Sequence, residues 1–256
     1  MDYDLPDAIQ VKVDGPVRIV TLTRPDHLNA VNDELHHGLA TLFPQLSADA
    51  EARVAVITGE GRAFSAGGDF DLLHRMAKDR GLRRDTLAEG REIVLTMVRC
   101  RLPLIAAVNG PAVGLGCSLV ALSDVVYMAE SAYLADPHVT VGLVAADGGP
   151  VTWPLHTSLL LAKEYAFTGD RITAVRAAEI GLANHVCPDD EVLPAALATA
   201  HKIAALPPQA VEATKRVLNL HLEQAVLTTI DFALAAENES FDTPELLANV
   251  ERFLTR

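Results

Sequence analysis

Basic charge and aromatic side chains are both scarce in this chain. Of its 256 residues, 21 are Lys or Arg against 34 Asp or Glu, giving a formal net charge of −13. That balance argues against a nucleic-acid partner, whose phosphates need a positive footprint. It would also repel a polyanionic ligand, so any such ligand needs local Arg or Lys. Aromatics make up 5% of a chain that is half hydrophobic, so Ala, Val, Leu and Ile must build the core. The three cysteines, Cys100, Cys117 and Cys187, fit neither a metal-ligand spacing nor a disulfide framework, and no metal is expected. Free thiols point to a reducing compartment, the cytoplasm. No apolar run approaches the ~18 residues of a spanning helix, and Met1–Pro6 shows no signal-peptide pattern. A soluble protein without a membrane partner is expected. The length suits one large domain, or one domain with a small appendage.

Alternating residues at Ile9–Val13 and Val17–Leu22, separated by Asp14-Gly15-Pro16, predict a hairpin. Leu35, Leu39, Leu42 and Leu46 recur at helical spacing over 32–46. Two buried strands are predicted at Val54–Thr58 and Leu104–Val108, and each runs into glycine-bearing backbone: Gly61-Arg-Ala-Phe-Ser-Ala-Gly-Gly-Asp69 and Asn109-Gly-Pro-Ala-Val-Gly-Leu-Gly-Cys-Ser118. The stretch 69–100 reads as polar helix, 116–122 as an apolar segment and 125–128 as another strand. Strand–helix alternation predicts an α/β class with parallel pairing. The last seventy or so residues read as helical, broken at Pro207-Pro208 and restarting at Thr243-Pro244-Glu245. No internal sequence repeat is visible.

Glycines at strand ends let backbone N–H groups approach a ligand with no Cβ in the way. Two such groups converging on one carbonyl oxygen make an oxyanion hole. Together with Thr23-Arg-Pro-Asp-His-Leu-Asn-Ala30, Gly169-Asp-Arg-Ile172, Ala177-x-x-x-Gly181-Leu182, Ala210-Val-Glu-Ala-Thr-Lys215 and Arg252-Phe-Leu-Thr-Arg256, these stretches resemble the enoyl-CoA hydratase/isomerase (crotonase) superfamily over nearly the whole chain. The resemblance implies a spiral of ββα units, with a core over 1–190 and a helical region over 191–256 that assembles a homotrimer or a dimer of trimers. It implies an acyl-CoA substrate and no cofactor beyond the CoA that the substrate carries. The oxyanion donors of the family fall on the N–H groups of Gly68 and Leu115. A backbone donor tolerates Leu where the family usually has Gly.

The acid–base positions depart from that pattern. Two glutamates of the family's hydratases fall on Ser118 and His138, so ordinary hydratase chemistry cannot be carried over unchanged. His138 and Asp147 share one loop, nine residues apart. A histidine with an unperturbed pKa of ~6.5 suits general-base work, and a carboxylate on its far nitrogen would orient it. The bland alternatives are a structural histidine and an Asx turn. The His…Asp spacing also resembles 6-oxocamphor hydrolase, a superfamily member, which implies a retro-Claisen cleavage of a cyclic β-diketone without CoA. Glu237 is the nearest match to that enzyme's assisting glutamate. The match is partial, since its second active-site histidine would fall on Leu115. Ser118 is either a water-positioning hydroxyl or a filler of the space that a glutamate left. Arg24 and Arg256 match family positions near the nucleotide, although Phe70-Asp71 replaces a usual lysine. Arg75, Lys78, Arg80, Arg83 and Arg84 either meet phosphates or form a solvated face. His36 and His37, near the entry helix, either border the acyl pocket or lie at the surface, the surface being the default expectation.

Overall fold

The computed structural model describes residues 2–255. Ile9–Asp14 (β1) and Val17–Leu22 (β2) pair antiparallel, and Gly15 turns the chain between them at φ +55°. Asn32 then caps Asp33–Ala48 (α1), its side chain accepting from the Leu35 N–H, and the leucines predicted to share a face are all buried. Val54–Gly59 (β3) is buried at every position. The polar stretch predicted as one helix is two, Phe70–Lys78 (α2) and Arg80–Arg99 (α3). Asp79 divides them because its side chain accepts from the N–H groups of Gly81 and Leu82, the usual side-chain cap of a new helix.

Leu104–Val108 (β4), Ala112–Val113 (β5) and Leu115–Ala121 (α4) come next, followed by Val125–Ala129 (β6), Tyr133–Ala135 (β7) and the short helix His138–Val141 (α5). Gly149–His156 (α6), Leu159–Thr168 (α7), Ile172–Thr173 (β8), Ala174–Glu179 (α8) and His185–Cys187 (β9) lead to the final helices. These are Val192–Ala204 (α9), Pro208–Ser240 (α10) and Pro244–Leu254 (α11), the last capped by Thr243 as its sequence predicts.

The large sheet runs β1-β2-β3-β4-β6-β9, parallel after the hairpin, and a small sheet runs β5-β7-β8. A repeat invisible in the sequence is plain here. β4, β5 and α4 repeat as β6, β7 and α5, each unit being a large-sheet strand, a small-sheet strand and a helix. β3 and α2 make a third unit, in which Ser65 supplies a single parallel bridge to Ala112 in place of the short strand. The α/β class and crotonase fold are as the sequence suggests. Helix α9 lies on the large sheet, α10 packs against α3 and α6, and α11 covers α2 and α5. That last contact buries Leu72, Met76, Val141, Leu143, Phe241, Leu246 and Val250 as a satellite core. Among the described residues, no helix is long and apolar enough to cross a membrane.

Candidate active site

The segment 24–30 explains how the first glycine turn is held. Asn29 adopts φ +54° and donates to the carbonyls of Glu60 and Ala63 at 3.0 and 2.9 Å, while its Oδ1 accepts from the Arg24 N–H at 2.8 Å. Arg24 bonds the Ala30 carbonyl and lies 3.5 Å from Asp69. It clamps the two ends of the turn and is absent from the cavity wall. Arg256 lies outside the described residues.

Val31 then bridges to Gly68, fixing the turn against the chain leading into α1. Gly67 (φ +86°) and Gly114 (φ +52°) press the two turns together: a Cβ on Gly67 would sit 2.7 Å from the Val113 carbonyl oxygen. Only glycine permits both that backbone conformation and that approach. The next residues are Gly68 and Leu115. Among the described residues, neither N–H donates to an acceptor in the chain, and both residues line one cavity of about 300 Å³. Leu115 is also the first residue of α4, where helix N–H groups are unsatisfied by geometry.

His138 lines the same cavity, its Cε1 only 3.6 Å from where a Cβ on Gly114 would lie. Its Nδ1 is bonded to Asp136 Oδ1, a carboxylate that sequence reasoning passed over. Asp147 instead faces the other ring nitrogen, 3.6 Å from Nε2, and accepts from Ser118 Oγ at 2.8 Å. The imidazole therefore stands between two carboxylates. Burial disfavours its charge, but the Asp136 and Asp147 carboxylates outweigh that and raise its pKa to about 10. Burial also acts on Asp136, yet the His138 charge and hydrogen bond hold it below the usual carboxylate range. Asp147 is pushed up, chiefly by burial. Glu237 reaches the cavity from α10, and burial raises it to about 8. Near neutral pH this leaves an Asp136–His138 ion pair, with two carboxyl groups of raised pKa beside it. A resting imidazolium donates a proton; it does not accept one.

The chain from 13 to 255 matches the family model for enoyl-CoA hydratase/isomerase. The chain belongs to the enoyl-CoA hydratase/isomerase family. It is 36% identical over 227 residues to a 2,3-dehydroadipyl-CoA hydratase of Escherichia coli, covering 88% of this chain and 85% of that one. It is 32% identical over 243 residues to a human mitochondrial Delta(3,5)-Delta(2,4)-dienoyl-CoA isomerase, covering 91% and 74%. A crystal structure of an enoyl-CoA hydratase/isomerase from Mycobacterium paratuberculosis superposes with a TM-score of 0.96 at 65% identity, covering 98% of this chain and all of that one. The chain is thus an enzyme of the enoyl-CoA hydratase/isomerase family. Its Asp147 reaches into the space beside Ser118.

Two expectations outside the centre resolve differently. The arginines of the basic run meet acids: Arg75 pairs with Asp33, Arg80 and Arg83 with Asp242, and Arg84 with Asp85, while Lys78 is exposed and pairs with no described residue. Arg83 is buried and lies over the Phe241 ring at 5.6 Å, tying α3 to the α10–α11 corner. His37 is exposed as expected, but His36 is buried and lines the cavity. A histidine one residue from an exposed twin carries no sequence signal of burial. Its partner on α3, Glu89, lies 53 residues away.

Proposed function

We propose that this enzyme acts on an acyl-CoA or enoyl-CoA thioester, as a hydratase or isomerase working through an enolate. One observation carries the reading: the uncommitted N–H groups of Gly68 and Leu115 share a small, mostly apolar cavity with His138 and Asp147. The two donors polarise the thioester carbonyl and hold the enolate oxygen as charge develops there. Asp147, with Ser118 fixing one of its oxygens, takes a proton from the substrate or from an attacking water. His138, kept charged and oriented by Asp136, returns a proton and offsets the enolate charge. The 3.6 Å between His138 Nε2 and Asp147 Oδ2 is long for a direct hydrogen bond, so a water bonded to both fits beside it. Glu237 supplies a further carboxyl from α10. For the nucleotide of CoA, this reading keeps Arg24 and Arg256 as candidate contacts by sequence position alone.

The pairing of the run's four arginines with acids favours a second reading, a CoA-independent retro-Claisen hydrolase of a cyclic β-diketone. There the same oxyanion donors stabilise the departing enolate, and the water at Asp147 and His138 attacks the ketone. Calorimetric titration with acetoacetyl-CoA separates the two. Saturable micromolar binding supports the thioester enzyme, and loss of enoyl absorbance from crotonyl-CoA then identifies a hydratase. An absence of binding at millimolar ligand refutes the thioester reading in favour of the diketone.

The proposal extends to assembly: a core over 1–190, and a region over 191–256 that mediates a trimer or a dimer of trimers. A groove of about 780 Å³ between α6 and α9–α10, remote in lining from the candidate site, supports it. Leu155, Leu206 and Leu218 stand at least half exposed along that groove. Sedimentation as a monomer at micromolar concentration would refute it.

A further inference from the structure

His36 has no place in the chemistry above, yet it is one of the more deliberately placed groups in the cavity. It sits one turn into α1, just beyond the Val31–Gly68 bridge that positions the first oxyanion donor. Its ring is buried, and Nδ1 lies 2.9 Å from Glu89 Oε2. The other Glu89 oxygen takes Nδ1 of His37, also at 2.9 Å. Bonding to the two histidines holds Glu89 below the usual carboxylate range. Glu89 is therefore an acceptor, and His36 Nδ1 carries the proton. In the neutral ring that makes Nε2 a lone-pair acceptor. Among the described residues no group is hydrogen-bonded to Nε2.

What lies over Nε2 is an absence of side chain. Gly90 is in the middle of the 20-residue α3, where glycine costs roughly 0.5–1 kcal/mol relative to alanine. Its backbone is ordinary helix, so no special φ requires it. A Cβ there would point at His36 Nε2, at 3.9 Å, and a longer side chain would cover it. Thr86, one turn earlier on the same face of α3, also lines the cavity, and its hydroxyl has no bond to another described residue. The neighbouring wall is apolar, formed by Leu72, Met76, Leu87 and Val141. An apolar wall with a few placed polar groups, here the oriented Nε2 of His36, is the usual form of a specificity site.

We propose that His36 Nε2, oriented by Glu89 and exposed by Gly90, accepts a hydrogen bond from a hydroxyl on the acyl part of the substrate. The substrate class is a short hydroxyacyl chain. The cavity of about 300 Å³ is at the small end of ligand pockets, which suits a short chain. A hydroxyl is favoured over a second carboxylate because Asp136, Asp147, Glu237 and Glu89 already make the surroundings acidic. The inference rests on the thioester reading, and its test separates the two.

The experiment is calorimetric titration of the protein with hexanoyl-CoA and with its 4-, 5- and 6-hydroxy derivatives. At least one hydroxylated ester should bind about tenfold tighter than the parent, the worth of one added hydrogen bond. In His36→Leu that preference should vanish, the ligands binding alike. Glu89→Gln, which leaves the imidazole present but loosens its orientation, should shrink the preference without reversing it. A general packing defect would weaken all esters together and leave their ratio intact, which overturns the proposal. Equal affinities in the unaltered protein overturn it too, as does a preference for adipoyl-CoA over every hydroxy ester. If no CoA ester binds, the thioester reading fails, and methyl hexanoate and methyl 6-hydroxyhexanoate replace the CoA esters. The His36 Nε2 nitrogen shift is then followed by NMR: a shift with the hydroxy ester alone sustains the proposal, and equal shifts or none overturn it.

Discussion

Replacing Asp136 by Asn isolates the charge that decides what His138 does. The change is nearly isosteric and leaves an oxygen in reach of Nδ1, but it removes the carboxylate that contributes most to holding the imidazolium. The His138 proton is held up to about 10, from an unperturbed 6.5. At ~1.4 kcal/mol per unit, this is on the order of 5 kcal/mol of preference for the charged ring. Asp147 and Glu237 add to it, but Asp136 contributes the most among the acids and is the one bonded to the ring. In Asp136→Asn the His138 midpoint should therefore fall by roughly two units. Imidazole nitrogen shifts followed against pH in both proteins measure this directly. Turnover should fall on the order of 10²–10⁴ if the charged ring is the proton donor, with the alkaline limb of kcat/KM moving down alongside the NMR midpoint. Stability gives an independent check. The folded chain binds this proton more tightly than the unfolded chain. The contribution is thus complete below pH ~6.5 and is lost as pH rises towards 10. Between those limits the unaltered protein should lose stability more steeply than the variant. An unmoved His138 midpoint in Asp136→Asn would show that Asp136 only packs, and the assignment of His138 as acid would fall.

Ser118→Ala removes the hydrogen bond that draws the Asp147 pKa down, so the acidic limb of kcat/KM should move to higher pH. The rate should drop about 10- to 100-fold, from the ~1.5–3 kcal/mol of a bond to a charged group; an unchanged pH profile would exclude Asp147 as the base. Gly67→Ala forces a side chain into a left-handed backbone and against the Val113 carbonyl. It should cost of order 1–3 kcal/mol in urea titrations and ~10²–10³ in kcat through a displaced oxyanion donor. Glu237→Gln removes a carboxyl whose pKa rises from 4.5 to about 8 on folding. The folded chain holds that extra proton through this window, so thermal melts of the variant should lose less stability between pH 5 and 8.

The parts of this molecule legible in its sequence are those fixed by neighbours in the chain. The hairpin at Gly15, the Asn32 and Thr243 caps and the glycine turns after β3 and β4 all follow from residues within a few positions. The split at Asp79 was local too, but a helix-capping aspartate inside a charged run looks like any other acid. The centre was harder to read because it is assembled across elements. His138 and Asp147 stood out by position, whereas Asp136, in Ala-Asp-Pro-His, reads as a turn residue after a strand. Only the folded backbone shows its carboxylate bent back onto Nδ1, against a Gly149 backbone that leaves no room for a Cβ. Glu237 and His36 reach the cavity from helices some 200 residues apart, and no periodicity records such a meeting.

The roof of the cavity has a consequence for how the enzyme is made. Val31 and Gly68 leave the ribosome some two hundred residues before Leu234, Glu237 and Phe253, which close the same space. A nascent chain halted before α10 would already contain every strand and both glycine turns, but not the helices that cover the apolar wall of α2 and α3. For that interval the future cavity wall is a sticky surface. Chaperone dependence during synthesis should accordingly track the delay between α3 and α11, and not the stability of the finished sheet.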